Sequence, residues 1–273
     1  MKATVVIRPP KKWASPDLRG IWGHRGLLYF LLWREVRGRY RQTMIGMWWM
    51  ILQPLITMMI FTLVFGKLAR LPSEGIPYPI FTYVALLPWQ FFARCTSEST
   101  SCLIRQQQVI SKVYFPRLLI PTASLLSALV DFLASLVVLA GLMAFYRVVP
   151  GWQVLMLPVF LFVAGTTALG IGLLLAGLAV RYRDVSIMLG FGLTIMQYLT
   201  PVAYSATLVP DAWRTLYRLN PMTVVVNGFR WSLLGTASPP DWTLGVAIAM
   251  AMVLLVAGAF CFSRAEQTIV DVL

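Results

Sequence analysis

Residues 33–54 read WREVRGRYRQTMIGMWWMILQP, and this stretch decides how the chain meets a membrane. Four arginines, Arg34, Arg37, Arg39 and Arg41, precede a tryptophan pair and an unbroken apolar run. Arginine favours water or anionic headgroups, tryptophan favours the membrane interface, and apolar residues favour lipid. The stretch therefore predicts the point at which the chain enters a bilayer.

The composition predicts an all-α polytopic membrane protein. The chain is 59% hydrophobic, compared with about 45–50% in soluble domains. The apolar residues form long runs, and a membrane span needs roughly 20 of them. We predict six transmembrane helices, near residues 47–65, 78–102, 118–146, 154–180, 185–204 and 244–262.

Three segments are too short or too polar to cross. The pattern of residues 21–42 predicts an amphipathic helix that lies in the membrane interface. We therefore assign residues 1–45 to a cytoplasmic arm that includes this helix, and residues 46–273 to a single transmembrane domain. Residues 104–117 predict a surface helix that can dock a partner. Residues 205–241 predict two short re-entrant helices packed against protein before the last span.

The charge distribution predicts the orientation. The net charge of +13 comes from basic residues beside apolar runs, which favours a membrane surface over nucleic acid. The segments on the side of the termini hold 16 lysines and arginines, and the opposite loops hold 6. This bias predicts that both termini lie in the cytoplasm.

Charged residues inside two predicted spans are candidate functional groups. Arg94 and Glu98 are four positions apart, so they can pair on one helical face. The helix that carries them either lines a polar path or reaches the interface at Arg94. Asp131 lies within the third span, where a carboxylate is either functional or a structural hydrogen-bonding group.

The sequence lacks the motifs of several catalytic classes. It contains no G-x-x-x-x-G-K-[ST] phosphate loop, no H-E-x-x-H motif, and no metal-ligand spacing among its three cysteines and single histidine. We therefore predict no catalytic, cofactor or metal site in this chain. A pore-like bundle with docking surfaces requires an energy source on another chain.

Four blocks of sequence resemble one family. Residues 34–54, VYFPRLLIP at 113–121, VRYRDV at 180–185 and LNPMTVVVNGFR at 219–230 are similar to the permease subunits of ABC exporters for cell-surface polysaccharides. That group includes the exporters of O-antigen, capsule and teichoic acid. The family usually has Asp where Glu35 stands.

The resemblance implies a complex of two copies of this chain with two ATP-binding cassette subunits, which would bind ATP and Mg. It implies an amphipathic helix at 26–42, a coupling helix at 104–117 and external gate helices at 210–235. The residues that it places at the ATPase contact are Arg105, Gln107, Lys112, Tyr114, Arg117, Arg181, Arg183 and Asp184.

The resemblance implies a lipid-linked glycan as the substrate and a location in the bacterial inner membrane. Sugars stack on aromatic rings and hydrogen-bond to polar side chains, so residues of these kinds are the candidates. The candidates for contact with it are Tyr83, Trp89, Phe92, Arg94, Glu98, Asp131, Tyr198 and Tyr204. The aromatic members either line a channel or form packing and interface contacts. Arg34, Arg37, Arg39 and Arg41 either hold the diphosphate headgroup or bind anionic membrane lipids.

Three other functions are compatible with the sequence. An ABC exporter of a lipid or drug would share the same architecture. An ion-coupled secondary transporter would show internal repeats with broken helices at matching positions. A membrane enzyme of lipid or glycan assembly would show a cluster of catalytic acids or histidines, whereas the acids here are scattered.

Overall fold

The computed structural model describes residues 23–40, 46–107 and 115–272. Within these ranges the regular structure is helical and contains no strand, so the predicted all-α class is confirmed. We number the main helices in chain order. They are α1 (Arg25–Tyr40), α2 (Trp49–Phe61), α3 (Tyr78–Arg105), α4 (Leu119–Tyr146), α5 (Leu157–Arg181), α6 (Asp184–Leu199), α7 (Asp211–Leu219), α8 (Pro221–Leu234) and α9 (Trp242–Val272).

Four helical segments of the described chain are long and apolar enough to cross a membrane, which makes the protein a multi-pass membrane protein. They are Gly46–Leu68, Leu119–Tyr146, Trp152–Arg181 and Trp242–Ala265. The first of them includes a 3-10 turn before α2 and a π-helical segment, Thr62–Leu68, after it.

The other two predicted spans form helices with different properties. α3 has 28 residues and is therefore about 42 Å long, but Arg94, Glu98 and Arg105 make its second half polar. α6 has 16 apolar-rich residues, which is shorter than the roughly 20 that a span needs.

The centre of the bundle is α3, which is packed in parallel against α5. Gly165 of α5 faces the Phe91 ring, and a Cβ added to Gly172 would lie 2.4 Å from the Cβ of Ser99. The contact partner moves from Phe91 to Ser99 on α3 as the position moves from Gly165 to Gly172 on α5, so the two helices run in the same direction. Small residues at this contact let the two backbones approach closely.

Contacts between residues also give the directions of the neighbouring helices. α9 runs parallel to α5, since Gly170 faces Leu254 and Gly177, seven residues later, faces Ala265. α4 runs antiparallel to α3, because Tyr83 donates a hydrogen bond to the Ser135 carbonyl at 3.2 Å while Arg94 contacts Asp131. The carboxyl ends of α3, α5 and α9 therefore lie beside the amino end of α4, where α1 also packs. We call this the α1 end.

The opposite end, called the α8 end, is organised by one buried arginine. Arg230 is 1% exposed, and it donates hydrogen bonds to the carbonyls of Val202 at 2.9 Å and Tyr204 at 3.0 Å. Its guanidinium lies 3.8 Å from the centre of the Phe81 ring. The Tyr78 hydroxyl donates to the Ala203 carbonyl. These contacts tie the segment after α6 to α8 and to the start of α3.

Two helix limits differ from the prediction. α6 ends at Leu199 instead of near 204, because Pro201 has no N–H for a helical hydrogen bond and the next carbonyls bind Arg230 and Tyr78. α9 continues to Val272 instead of ending near 262. Hydropathy shows where a helix leaves lipid, whereas its backbone hydrogen bonds can continue into water.

Candidate functional site

A cavity of about 460 Å³ lies between α2, α3, α4 and α6. Charged, carboxamide and hydroxyl side chains line one part of it, and Trp89, Phe91 and Phe132 line another. Polar groups at this depth of a membrane bundle normally face protein or a water-filled space. The cavity therefore combines polar groups with aromatic rings inside an otherwise apolar bundle.

Four charged side chains meet in this cavity region. Arg39 of α1 pairs with Glu98 of α3 and, at 2.8 Å, with Asp131 of α4. Arg94 lies 3.2 Å from the same Glu98 oxygen and 2.6 Å from the same Asp131 oxygen. Each arginine therefore contacts both carboxylates, and the formal charges of the cluster cancel.

The cluster is largely removed from water. The Glu98 and Asp131 side chains are 9% and 8% exposed, while Arg39 and Arg94 are 18% and 29% exposed. Buried carboxylates are costly unless cations and hydrogen bonds compensate them. Among the described residues, the second carboxylate oxygen of Glu98 has no hydrogen-bond partner. The cavity therefore retains one acceptor that is available to a bound group.

α1 carries a second polar contact to the bundle. Ser124 of α4 donates hydrogen bonds to the two Glu35 oxygens at 3.2 and 3.4 Å. Burial, and then the nearby charge of Glu98, raise the pKa of the Glu35 carboxyl. Leu31, which is 1% exposed, packs on the same side of α1. The helix is thus fixed by apolar packing, a hydrogen bond and the ion pairs of Arg39.

The structure brings together half of the predicted substrate contacts. Trp89, Arg94, Glu98 and Asp131 line the cavity. Tyr83 and Phe92, at 0% and 4% exposure, belong to the apolar core around α3 and do not line the cavity, whereas Trp89, at 2% exposure, belongs to the core and also borders the cavity.

The remaining two predicted contacts lie near the α8 end. Tyr198 is exposed at the end of α6. The Tyr204 hydroxyl donates to the Tyr198 carbonyl at 2.9 Å and lies 3.0 Å from the Tyr217 hydroxyl. Both tyrosines are therefore parts of a hydrogen-bonded layer outside the cavity.

Several lining residues were not among the predicted contacts. Gln90 and Ser97 share the helical face of Arg94 and Glu98, so their spacing of four and seven positions could have identified them. Gln53 and Gln197 come from α2 and α6, and only the packing of those helices brings them to the cavity. Arg39 was predicted as a headgroup contact, and its pairing with Asp131 across 92 positions gave no sequence signal.

The predicted ATPase contacts that the structure describes lie at the α1 end. Arg105, the last residue of α3, and Gln107 just after it are exposed. The turn from α5 to α6 is also exposed at Arg181, Arg183 and Asp184. Arg117 is half-buried just before α4. Lys112, Tyr114 and the rest of 108–114, which is half of the predicted coupling helix, lie outside the described residues.

Two of the predicted headgroup arginines remain accessible on α1. Arg37 is exposed and Arg34 is partly exposed. Arg41 lies outside the described residues. Arg39 has its guanidinium between two carboxylates, which already supply its charge partners.

A multi-pass helical bundle with a polar cavity and charged ends has the features of a membrane transport domain. Residues 26–234 match the family model described as ABC-2 type transporter. This match covers most of the chain, from α1 to the end of α8. The chain belongs to the ABC-2 type transporter family.

Similar proteins in this family are named as permeases. The chain is 30% identical over 254 residues to the O-antigen export system permease protein RfbA of Myxococcus xanthus, covering 92% of this chain and 96% of that protein. It is 24% identical over 248 residues to the protein of the same name from Klebsiella pneumoniae, covering 90% and 95%. The inner membrane transport permease YadH of Escherichia coli K12 is 40% identical over 78 residues, or 28% of this chain and 30% of that protein.

Proposed function

We propose that this protein is the transmembrane subunit of an ATP-driven exporter that moves a lipid-linked, O-antigen-like polysaccharide across the bacterial inner membrane. The observation that carries the proposal is the similarity to the Myxococcus xanthus O-antigen permease along 96% of that protein. The expectation drawn from the four sequence blocks agrees with it. The polar and aromatic cavity is compatible with a substrate that has many hydroxyl groups.

ATP is bound and hydrolysed by separate cassette subunits, which carry the Mg. The absence of a phosphate loop from the sequence supports this division of labour. The exposed charges of Arg105, Arg181 and Arg183 supply docking groups at the α1 end. Lys112, Tyr114 and the rest of 104–117 complete this contact as a coupling helix.

The cavity and its ion cluster form part of the transport path. Trp89 supplies a ring for the apolar face of a sugar, and Arg94, Glu98 and Asp131 supply polar contacts. Arg39 connects α1 to this cluster, so a movement of α1 driven by the ATPase would change the ion pairs inside the cavity. Arg34 and Arg37 remain available for the diphosphate headgroup.

The transmembrane domain has six spans and cytoplasmic termini. α3 is one further span, and α6 with the segment that follows it to residue 204 is another, in addition to the four apolar helical segments. The alternating directions of α3, α4 and α5 and the positive-inside bias support this topology. α7 and α8 act as the external gate helices.

A second copy of the chain completes the path, with two ATPase subunits below it. α6 has no buried residue among its 16. Ile187, Met188 and Phe191 are each about 70% exposed on it. Such an apolar helix can pack against lipid or against another copy, and a path wide enough for a glycan requires the latter.

The proposal is tested by deleting the gene in its own bacterium. We expect the surface polysaccharide to disappear and its lipid-linked form to accumulate on the cytoplasmic side. An ATPase subunit with an inactivated phosphate loop should give the same result, and the purified complex should contain both subunits. Unchanged surface polysaccharide, or transport in proteoliposomes without ATP, would refute it.

A further inference from the structure

A second cavity, of about 530 Å³, lies at the α8 end of the molecule. α7, the first half of α8, the segment after α6 and the connector before α9 enclose it, and Glu74 reaches it from the loop before α3. The volume falls within the range of about 300–1,000 Å³ that is typical of small-molecule sites. This cavity, which we call the α8 cleft, is separate from the charged cavity between α2, α3, α4 and α6.

The chemistry of the α8 cleft is dominated by hydroxyl groups. Seven hydroxyl-bearing side chains line it, together with the carboxamide of Asn227. Two carboxylates, Glu74 and Asp241, are balanced by Arg214 and Arg218. A neutral lining with many donors and acceptors suits a polyhydroxylated ligand better than a highly charged or apolar one.

Three polar atoms of the cleft lack hydrogen-bond partners among the described residues. They are the hydroxyls of Thr223 and Thr236 and one carboxylate oxygen of Glu74. Thr223 is 3% exposed and lines the cleft. Buried polar groups in native proteins are almost always hydrogen-bonded to protein, water or ligand, so a group bound in the cleft can supply the missing partners.

The neighbouring groups of the cleft are already held in place. Glu74 accepts a hydrogen bond from Ser205, whose oxygen also accepts from the Thr207 hydroxyl at 2.9 Å. Asp241 accepts from the backbone and hydroxyl of Thr243 at 3.0 and 2.6 Å, and these bonds lower the pKa of its carboxyl. The polar rim is therefore fixed before any ligand binds.

The floor of the cleft is apolar and tightly packed. Gly228 sits directly on the Phe160 ring, since a Cβ at that glycine would lie 2.3 Å from it. Val224 lies beside them. A sugar ring presents an apolar C–H face and a polar edge, and the lining of the cleft contains both apolar and polar side chains.

We propose that the α8 cleft binds a short segment of the glycan chain after it leaves the transport path. The proposal rests on the proposed function, which supplies the glycan and places this end outside the cytoplasm. Thr223, Thr236 and Glu74 hydrogen-bond to sugar hydroxyls, and the apolar lining at Val209 and Val224 contacts the C–H face. Occupation of the cleft would retain the emerging chain beside α7 and α8 between ATP-driven steps.

Thr223→Val is the decisive variant, because valine has nearly the same shape and removes only the unpartnered hydroxyl. Thr122→Val is the matched control, since the Thr122 hydroxyl donates to the Leu118 carbonyl of its own helix at 2.7 Å, far from the cleft. Ala237→Trp is a second variant that fills the cleft from its connector.

The probe is the polysaccharide released by mild acid from the lipid of cells that carry the exporter. Its binding to the exporter complex in nanodiscs is followed by saturation-transfer NMR. We expect Thr223→Val to weaken binding roughly threefold to tenfold, as for the loss of one hydrogen bond, without lowering the melting temperature. Ala237→Trp should abolish binding at the cleft, and Thr122→Val should bind as the unaltered protein does.

Export in cells separates the two proposals. If deletion of the chain leaves surface polysaccharide unchanged, the proposed function fails. If export needs the chain but Thr223→Val and Ala237→Trp bind the polysaccharide as the unaltered protein does, the cleft proposal is overturned. Equal weakening by Thr122→Val and Thr223→Val would also overturn it.

Discussion

At the scale of single residues, the main feature is the ion cluster of Arg39, Arg94, Glu98 and Asp131. The two carboxylates share the same two arginines, so each charge depends on the other three. Removal of one partner from a buried ion pair is strongly destabilising, because an uncompensated charge stays in a poorly solvated site. The cluster therefore stabilises the bundle only while it is complete.

Arg39→Met should lower the free energy of unfolding by about 3 kcal/mol, because two carboxylates would then face one arginine. Thermal unfolding of the detergent-solubilised protein measures this as a lower melting temperature. Arg39→Met combined with Asp131→Asn restores a neutral cluster and should recover part of the loss.

The control for this prediction is Arg37→Met, which changes an exposed arginine two positions away on the same helix. Surface substitutions of this kind usually change stability by less than about 0.5 kcal/mol. If Arg39→Met proved as stable as Arg37→Met, the cluster would have no structural role.

At the scale of helices, glycines set the distance between α3, α5 and α9. The hydrophobic effect does not drive helices together in lipid as it does in water, so close contact between their backbones becomes important. Gly172 against Ser99, and Gly170 against Leu254, provide this contact on two sides of α5. α5 is therefore the element on which the positions of its neighbours depend.

Gly172→Ala should destabilise the bundle by about 1–3 kcal/mol, as for other overpacked sites. The added Cβ would lie 2.4 Å from the Cβ of Ser99, which cannot rotate away because it is bonded to the backbone. Melting temperature is again the measurement. Adding Ser99→Gly removes the clash and should restore part of the stability.

Gly141→Ala provides the matched control on α4, where an added Cβ meets no atom within 4 Å. Alanine favours a helix over glycine by about 1 kcal/mol, so this variant should be as stable as the unaltered protein or slightly more so. A Gly172→Ala protein that behaves like Gly141→Ala would contradict the packing argument.

At the scale of the whole molecule, the packing separates two chemically different ends. The α1 end carries the exposed arginines around Arg105, Arg181 and Arg183. The α8 end carries short helices, the Arg230 hydrogen bonds and the α8 cleft. The positive-inside bias predicts that the α1 end faces the cytoplasm.

This orientation predicts the labelling of single cysteines in a protein whose Cys95, Cys102 and Cys261 have been replaced by alanine. Ser238→Cys lies in the exposed connector before α9. It should react with a maleimide that cannot cross the inner membrane, in cells whose outer membrane has been permeabilised. Arg183→Cys, exposed between α5 and α6, should react only after the inner membrane is permeabilised. The opposite pattern would reverse the topology.

Local patterns predicted much of the fold because their causes lie within a few residues. Apolar runs placed the helices, and the spacing of Arg94 and Glu98 predicted their ion pair, which the structure contains at 3.2 Å. The end of α6 was misplaced because the carbonyls after Thr200 bind Arg230 and Tyr78, which lie on distant elements. Hydropathy averages over such contacts and cannot detect them.

Composition, charge bias and short motifs are properties of neighbouring residues, so they were enough to predict the helical membrane class, the orientation and the family resemblance. The folded arrangement of the helices was needed to show that Arg39 meets Asp131 across 92 positions and that Arg94 and Glu98 line a cavity from which Tyr83 is excluded. It was also needed to show that Thr223 and Glu74 share the α8 cleft. A cavity is the space left between packed helices, so its lining depends on how each helix is rotated and placed against the others.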